Sequence, residues 1–118
     1  MINHAVSQND LPLEMQILNI SVNMARIGNW IADLSKIKAE YGEKVYRSRR
    51  KLIEKMINQT ENYLNDLSSQ KISGRFVPTL GRFTKEFKVI KNGYKTDPLL
   101  AKKALTWANI LQHRAKLA

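Results

Sequence analysis

LPLEMQILNISVNMARIGNWIADLSKIKAEYGEKVYRSRRKLIEKMINQTENYLNDL, residues 11–67, decides the fold class of this 118-residue chain. Apolar or semi-apolar residues stand at Leu13, Ile17, Ile20, Met24, Ile27, Ile31, Leu34, Ile37, Tyr41, Val45, Leu52, Met56, Tyr63 and Leu67. The early steps alternate three and four residues, which places them on one face of a helix. Asp10 stands where an N-cap belongs, and Pro12 suits a first turn because its missing N–H would be unpaired there in any case. A continuous helix over this stretch would be roughly 80 Å long at 1.5 Å per residue. About fifty remaining residues cannot cover a stripe of that length, so a straight helix implies self-association. Gly28 and Gly42 are the points where the helix could kink or fold back, since each weakens it by about 1 kcal/mol relative to Ala. No turn-type dipeptide appears before Ser68-Ser69, and the balance favours one long helix.

Outward from that stretch, residues 1–10 read as a flexible N-terminus and residues 68–78 as a polar loop containing SSQKISG. Residues 79–92 suit a basic amphipathic helix: Leu80, Phe83, Phe87 and Ile90 share a face, while Arg82, Lys85, Lys88 and Lys91 take others. Asn92-Gly93 is a suitable stop. A strand over FTKEFKVIK fits less well, because Val89 and Ile90 fall together. Residues 97–117 form a last helix, with Asp97 as its cap, Pro98 in its first turn and Leu100, Ala104, Trp107, Ala108, Leu111 and Ala115 on one face. Trp30 and Trp107 sit beside the apolar stripes and are expected to pack. The expectation is a single all-α domain: a long N-terminal helix with shorter basic helices packing back on it.

Charge adds a functional direction. The chain carries a formal net charge of +10. Residues 1–67 hold 9 Lys/Arg against 8 Asp/Glu, whereas residues 68–118 hold 11 against only Glu86 and Asp97. An excess concentrated in less than half the chain is the electrostatic footprint of an anionic partner, although charge of this size also serves solubility. Between Lys71 and Lys95 seven cations mix with Phe76, Phe83, Phe87 and Tyr94. Cations along a backbone and aromatic faces against bases are how single-stranded nucleic acid is held. Phe83 and Phe87 belong to the apolar face and are expected in the core, which leaves Phe76 and Tyr94 to stack. Arg75, Arg82, Lys85, Lys88, Lys91 and Lys95 are the expected phosphate contacts. A second cluster in KVYRSRRKLIEK extends the track through Arg47, Arg50 and Lys51. Its solvated-surface alternative rests on Glu40–Lys44 and Glu43–Arg47 pairs at i, i+4.

Catalysis finds no constellation. His4 and His113 stand alone, there is no Cys, and no Gly-rich phosphate loop occurs. Neither an enzymatic role, a metal nor a cofactor is expected. The N-terminal residues lack the basic and apolar regions of a signal peptide, and no apolar run would span a bilayer, so a cytoplasmic location is expected.

NWIADLSKIKAEYGEKVYRSRRKLIEKMINQTENY, residues 29–63, resembles the central helix of the phage UvsY-type recombination mediators. In that family an aromatic–aliphatic pair precedes a Ser- and Lys-containing stretch, then a basic helix, then a tyrosine near a turn. The matching residues are Trp30-Ile31, Ser35-Lys36-Ile37-Lys38, the Lys44–Lys55 cluster and Tyr63. The resemblance implies an oligomeric single-strand-binding protein that helps load a recombinase onto DNA. Two other classes fit the same charge pattern: an adaptor or inhibitor that docks on an acidic protein, and a membrane-surface binder using the Thr79–Lys91 helix.

Overall fold

A computed structural model describes residues 8–118 of the chain. His4 and most of the expected flexible N-terminus lie outside the described residues. The described part contains three α-helices, α1 (Leu13–Ser68), α2 (Val77–Gly93) and α3 (Leu100–Arg114), with single 3-10 turns at Gln8–Asp10 and Ala115–Leu117.

Helix α1 is not straight. Gly42 has φ 84° and ψ −178°, outside helical geometry and in a region that L side chains rarely adopt. The longest dimension of the protein is 45 Å, about half of what an unbroken helix over these residues would need. The chain reverses at Gly42, and α1 becomes two antiparallel arms, arm 1 (13–41) and arm 2 (43–68). Contacts across the arms run in opposite directions: Gln16 with Gln70 just beyond arm 2, Asn23 with Gln59, Trp30 with Arg49, and Lys38 with Tyr46. The long first helix is present, but it folds back at Gly42, one of the two positions where the sequence allows a kink, and is not the unbroken helix that the balance of turn signals favours. The apolar stripe finds its partner within the chain, and the burial that would have required a second copy is supplied by arm 2, α2 and α3.

Gly28, the other candidate break, is helical and buried for a different reason. A Cβ there would stand 2.7 Å from Leu105 Cγ and 3.0 Å from the Ala101 carbonyl oxygen. Its bare backbone lets α3 approach arm 1, where Ser21 Oγ donates to the Ala108 carbonyl at 2.7 Å.

The four helical segments run up, down, up and down. Arm 2 meets α2 through Glu61 and Lys91, and through Glu54 with Tyr94 and Lys95. Helix α2 meets α3 through Phe83 and Trp107, whose ring centroids are 5.5 Å apart, and through Glu86 and Lys103. Helix α3 closes the ring on arm 1. The core holds Ile17, Ile20, Met24 and Ile27 of arm 1, Ile53 and Ile57 of arm 2, Phe83 and Ile90 of α2, and Ala104 and Leu111 of α3. Phe83 and Phe87 are buried, as their spacing with Ile90 requires. That burial packs the apolar face of Thr79–Lys91, on which the membrane-surface reading rests, inside the bundle.

Local chemistry sets the element ends. Ser73 opens α2: its carbonyl accepts from the amides of Phe76 and Val77, and its Oγ accepts from that of Arg75. The helix starts two residues before the expected position, with Pro78 in its first turn where no N–H is required. Asp97 Oδ1 accepts the amide of Leu99 at 3.0 Å, one turn ahead of the regular part of α3. At the open end of the α1 hairpin, Gln16 and Gln70 exchange two side-chain amide hydrogen bonds, each 2.9 Å. Gln16 is fully buried, its Nε2 also reaches the Leu11 carbonyl, and its own carbonyl accepts from Gln8. Residues 8–10 are thus a turn docked by Gln8 rather than a loose extension.

Residues 38–52 contain no buried side chain. They form the apex of the hairpin, where Lys38 and Tyr46 border a cleft shared with Tyr94, Lys95, Thr96 and Pro98; the radius of gyration is 15.3 Å against about 13.5 Å for a compact chain of this length. Tyr41, Val45 and Leu52, read from sequence as continuations of the buried stripe, are exposed.

Gly42→Ala is expected to destabilise the fold by about 1–2 kcal/mol, because an L residue at positive φ is strained. Chemical denaturation would show a lower midpoint at unchanged slope. Gln70→Ala leaves the buried Gln16 amide without its reciprocal partner and is expected to cost about 1–3 kcal/mol in the same measurement.

Candidate nucleic-acid interface

Helix α2 offers its outer face to solvent because its inner one is apolar. Arg82, Lys85 and Lys88 succeed one another at three-residue steps, which spreads them over one flank of the helix and about 9 Å of its length. All three are exposed, and none makes an ion pair. Arg75 is exposed in the turn before the helix. The one acid of α2, Glu86, points to the α3 side and bonds Lys103 Nζ at 2.8 Å. The cationic flank therefore carries no compensating carboxylate.

Two other expected phosphate contacts have partners within the bundle. Lys91 Nζ lies 2.6 Å from Glu61 Oε2 and Lys95 Nζ 3.7 Å from Glu54 Oε1. They join α2 to arm 2, so their charge is partly neutralised, although both remain about half exposed. Pairs this open contribute at most about 1 kcal/mol each.

On arm 2, Lys44, Lys51 and Lys55 are exposed, seven and four residues apart along the outer side of the helix. Arg47 pairs loosely with Glu43 at 3.5 Å. The Glu40–Lys44 pair expected from sequence does not form: Gly42 separates the two residues onto different arms and destroys their i, i+4 relation. Lys44 is left without an ion pair for that reason. Arg50 turns inward instead, 5.7 Å from the Tyr46 ring centroid and 4.0 Å from Glu54 Oε1. Its Nε is buried without a hydrogen-bond partner, so Arg50 is a packing residue more than a surface contact.

The two aromatic expectations fail on burial. Phe76 is 0% exposed and Tyr94 4% exposed; Phe76 plugs the entry to α2 and Tyr94 the seam between α2 and arm 2. Both lie outside the regular part of α2, which is why periodicity did not place them inside. Neither ring offers a face to a base.

Tyr94 instead organises the seam. Its hydroxyl donates to Glu54 Oε1 at 3.3 Å, beside a cleft of about 210 Å³ lined by Ile57, Asn58, Lys91 and Lys95. Burial pushes the phenol up from 10 to about 12, helped by the Glu54 carboxylate and opposed by Arg50.

The structure thus brings the two cationic groups onto adjacent antiparallel segments that share one seam. About 20 Å of that seam separates Lys51 from Lys85 at 1.5 Å per residue, with Lys91 and Lys95 between them. Lys44 and Lys55 belong to the KVYRSRRKLIEK cluster read from the sequence, and the structure sets them with Lys51 in the outer row.

Among the described residues no group of three His, Cys, Asp or Glu side chains is placed to hold a metal ion. His113 is exposed, with Nδ1 2.8 Å from the Asn109 carbonyl oxygen. No helix is long and apolar enough to cross a membrane.

The Tyr94 environment has a consequence in alkali. A proton held more tightly in the folded state favours folding fully below pH 10, and that contribution is lost as pH rises through about 12. Ultraviolet-monitored alkaline titration, taken as the difference between wild type and Tyr94→Phe, is expected to show one phenol ionising near 12. Comparison with protein-family models, with curated proteins and with solved structures finds no match to this chain.

Proposed function

We propose that this chain is a non-enzymatic nucleic-acid-binding accessory protein that holds single strands by charge, with little sequence specificity, in the manner of a recombination mediator. The observation that carries the proposal is the flank of Arg82, Lys85 and Lys88, three exposed cations without ion pairs on a helix face that holds no acid. Arg75 extends the flank toward the start of α2. Lys44, Arg47, Lys51 and Lys55 continue it on arm 2. Fixed helices hold these charges in a set geometry, and each phosphate they meet releases a counterion. Contacts from such cations to phosphates position a strand and carry no sequence information.

A second reading is supported by a different surface. Leu18, Val22 and Ala25 of arm 1 and Leu105 of α3 line an open apolar groove of about 470 Å³, on the side of the bundle away from arm 2 and α2. An adaptor that docks on an acidic protein would use such a groove together with flanking charge. Competition separates the two, because bulk single-stranded DNA would block the first function and leave apolar docking in place.

Fluorescence anisotropy with labelled single-stranded oligonucleotides across a salt series tests the proposal. Wild type is expected to bind with affinity that falls as salt rises. The Arg82/Lys85/Lys88→Ala protein is expected to bind more weakly, with the slope of log affinity against log salt reduced by about 2, or 0.7 per lost phosphate contact on a single strand. No binding by wild type at low salt, or a triple substitution without effect, would overturn it.

A further inference from the structure

The chain has nine aromatic residues, and the bundle covers nearly all of them. Phe76, Phe83, Phe87, Tyr94 and Trp107 are buried. Trp30, Tyr46 and Tyr63 are half-buried, with Arg49 set 6.0 Å from the Trp30 ring centroid and Lys38 and Arg50 set 5.2 and 5.7 Å from that of Tyr46. Tyr41 alone is open, at 65% exposure. It is the last residue of arm 1, immediately before the Gly42 reversal, at the outermost point of the apex. Val45 and Leu52 of the same 38–52 segment are exposed as well.

The charge around it matches a strand rather than an apolar partner. Residues 38–52 hold Lys38, Lys44, Arg47, Arg49, Arg50 and Lys51 against Glu40 and Glu43. Lys44, three residues beyond Tyr41, makes no ion pair because Gly42 has parted it from Glu40. An exposed ring flanked by free lysines supplies both elements of single-strand recognition, a stacking surface and a cationic path for the backbone. Gly42 fixes the place of the ring, since its positive φ ends arm 1 there and turns the basic arm 2 back beside it.

We infer that Tyr41 is the base-stacking residue of this protein, taking an unpaired nucleobase on its ring at the hairpin apex while Lys44 and Lys51 hold the adjoining phosphates. The inference rests on the nucleic-acid reading above and assigns to the apex the role that buried Phe76 and Tyr94 cannot fill. A duplex, whose bases are already stacked, has no face to offer Tyr41.

Binding of three probes of equal length tests it: a single strand, the same strand with abasic sites, and a duplex, each titrated against wild type, Tyr41→Ala and Tyr41→Phe. Wild type is expected to prefer the base-bearing strand over the abasic one by about tenfold, within the range of one stacked base. Tyr41→Ala should lose that preference and leave duplex and abasic binding unchanged, and Tyr41→Phe should keep it. The side chain is exposed, and circular dichroism should show the same helical content in all three proteins. Equal binding of the single strand by wild type and Tyr41→Ala overturns the stacking role while leaving the phosphate contacts standing. Wild type that binds no probe overturns both proposals at once. Loss on Tyr41→Ala of binding to anionic phospholipid vesicles, with strand binding intact, overturns it in favour of a lipid surface.

Discussion

Everything in this molecule follows from a reversal at one residue. A stripe of aliphatic side chains on a 56-residue helix must be covered, and no second element of matching length exists in the chain. Gly42 resolves this by taking a backbone conformation closed to its neighbours, and the second half of the helix covers the first. The gain is the burial of Ile17, Ile20, Met24 and Ile27 together with Ile53, Ile57 and Leu67, each about 1.5–3 kcal/mol of apolar transfer. Against such sums the strain-free cost of one glycine in a helix is small. Helices α2 and α3 then have a two-armed platform to fill, and their antiparallel order follows from short connections.

The reversal also arranges the electrostatics. It lays the basic half of α1 beside basic α2, so that two clusters distant in sequence border one seam. Like charges brought together repel, and the protein limits this by interposing Glu54 and Glu61, which take up Lys95, Arg50 and Lys91. Cations within the seam are partly neutralised, whereas on its outer flanks Arg82, Lys85, Lys88, Lys44, Lys51 and Lys55 make no ion pair and Arg47 pairs loosely with Glu43. The resulting surface has two largely unpaired rows with a partly compensated strip between them. Such an arrangement suits an extended anion lying over the seam better than a small one seated within it.

Much of this was legible in the sequence, and the illegible parts have physical causes. The helical class and the burial of Phe83, Phe87 and Ile90 came directly from three- and four-residue spacing, which depends only on helix geometry. The two-arm shape did not, because a one-residue break at Gly42 leaves the phase of the apolar pattern almost intact and carries no Pro, Asn-Gly or Ser-rich signal. Gly28 and Gly42 look alike in sequence; only the approach of Ala101 and Leu105 tells a packing glycine from a turning one. The exposure of the candidate residues was read in part. Arg82, Lys85 and Lys88 were placed outward by the same periodicity that buried Phe83. Phe76 and Tyr94 were misjudged because each lies just off a helix end, where periodicity has no hold and tertiary packing decides.

Sequential neighbours pair along most of the bundle: arm 1 with arm 2, arm 2 with α2, α2 with α3. The joint between arm 1 and α3 is different, since its Ser21–Ala108 hydrogen bond spans 87 residues. During synthesis, arm 1 must wait for nearly the whole chain before Leu105 and Ala101 arrive to cover Gly28 and its surroundings. This joint is thus the most non-local of the four, and formed directly from an open chain it would carry the largest loop-closure entropy. Until α3 arrives, the flank of arm 1 around Gly28 has no cover within the chain, and stray association would begin there.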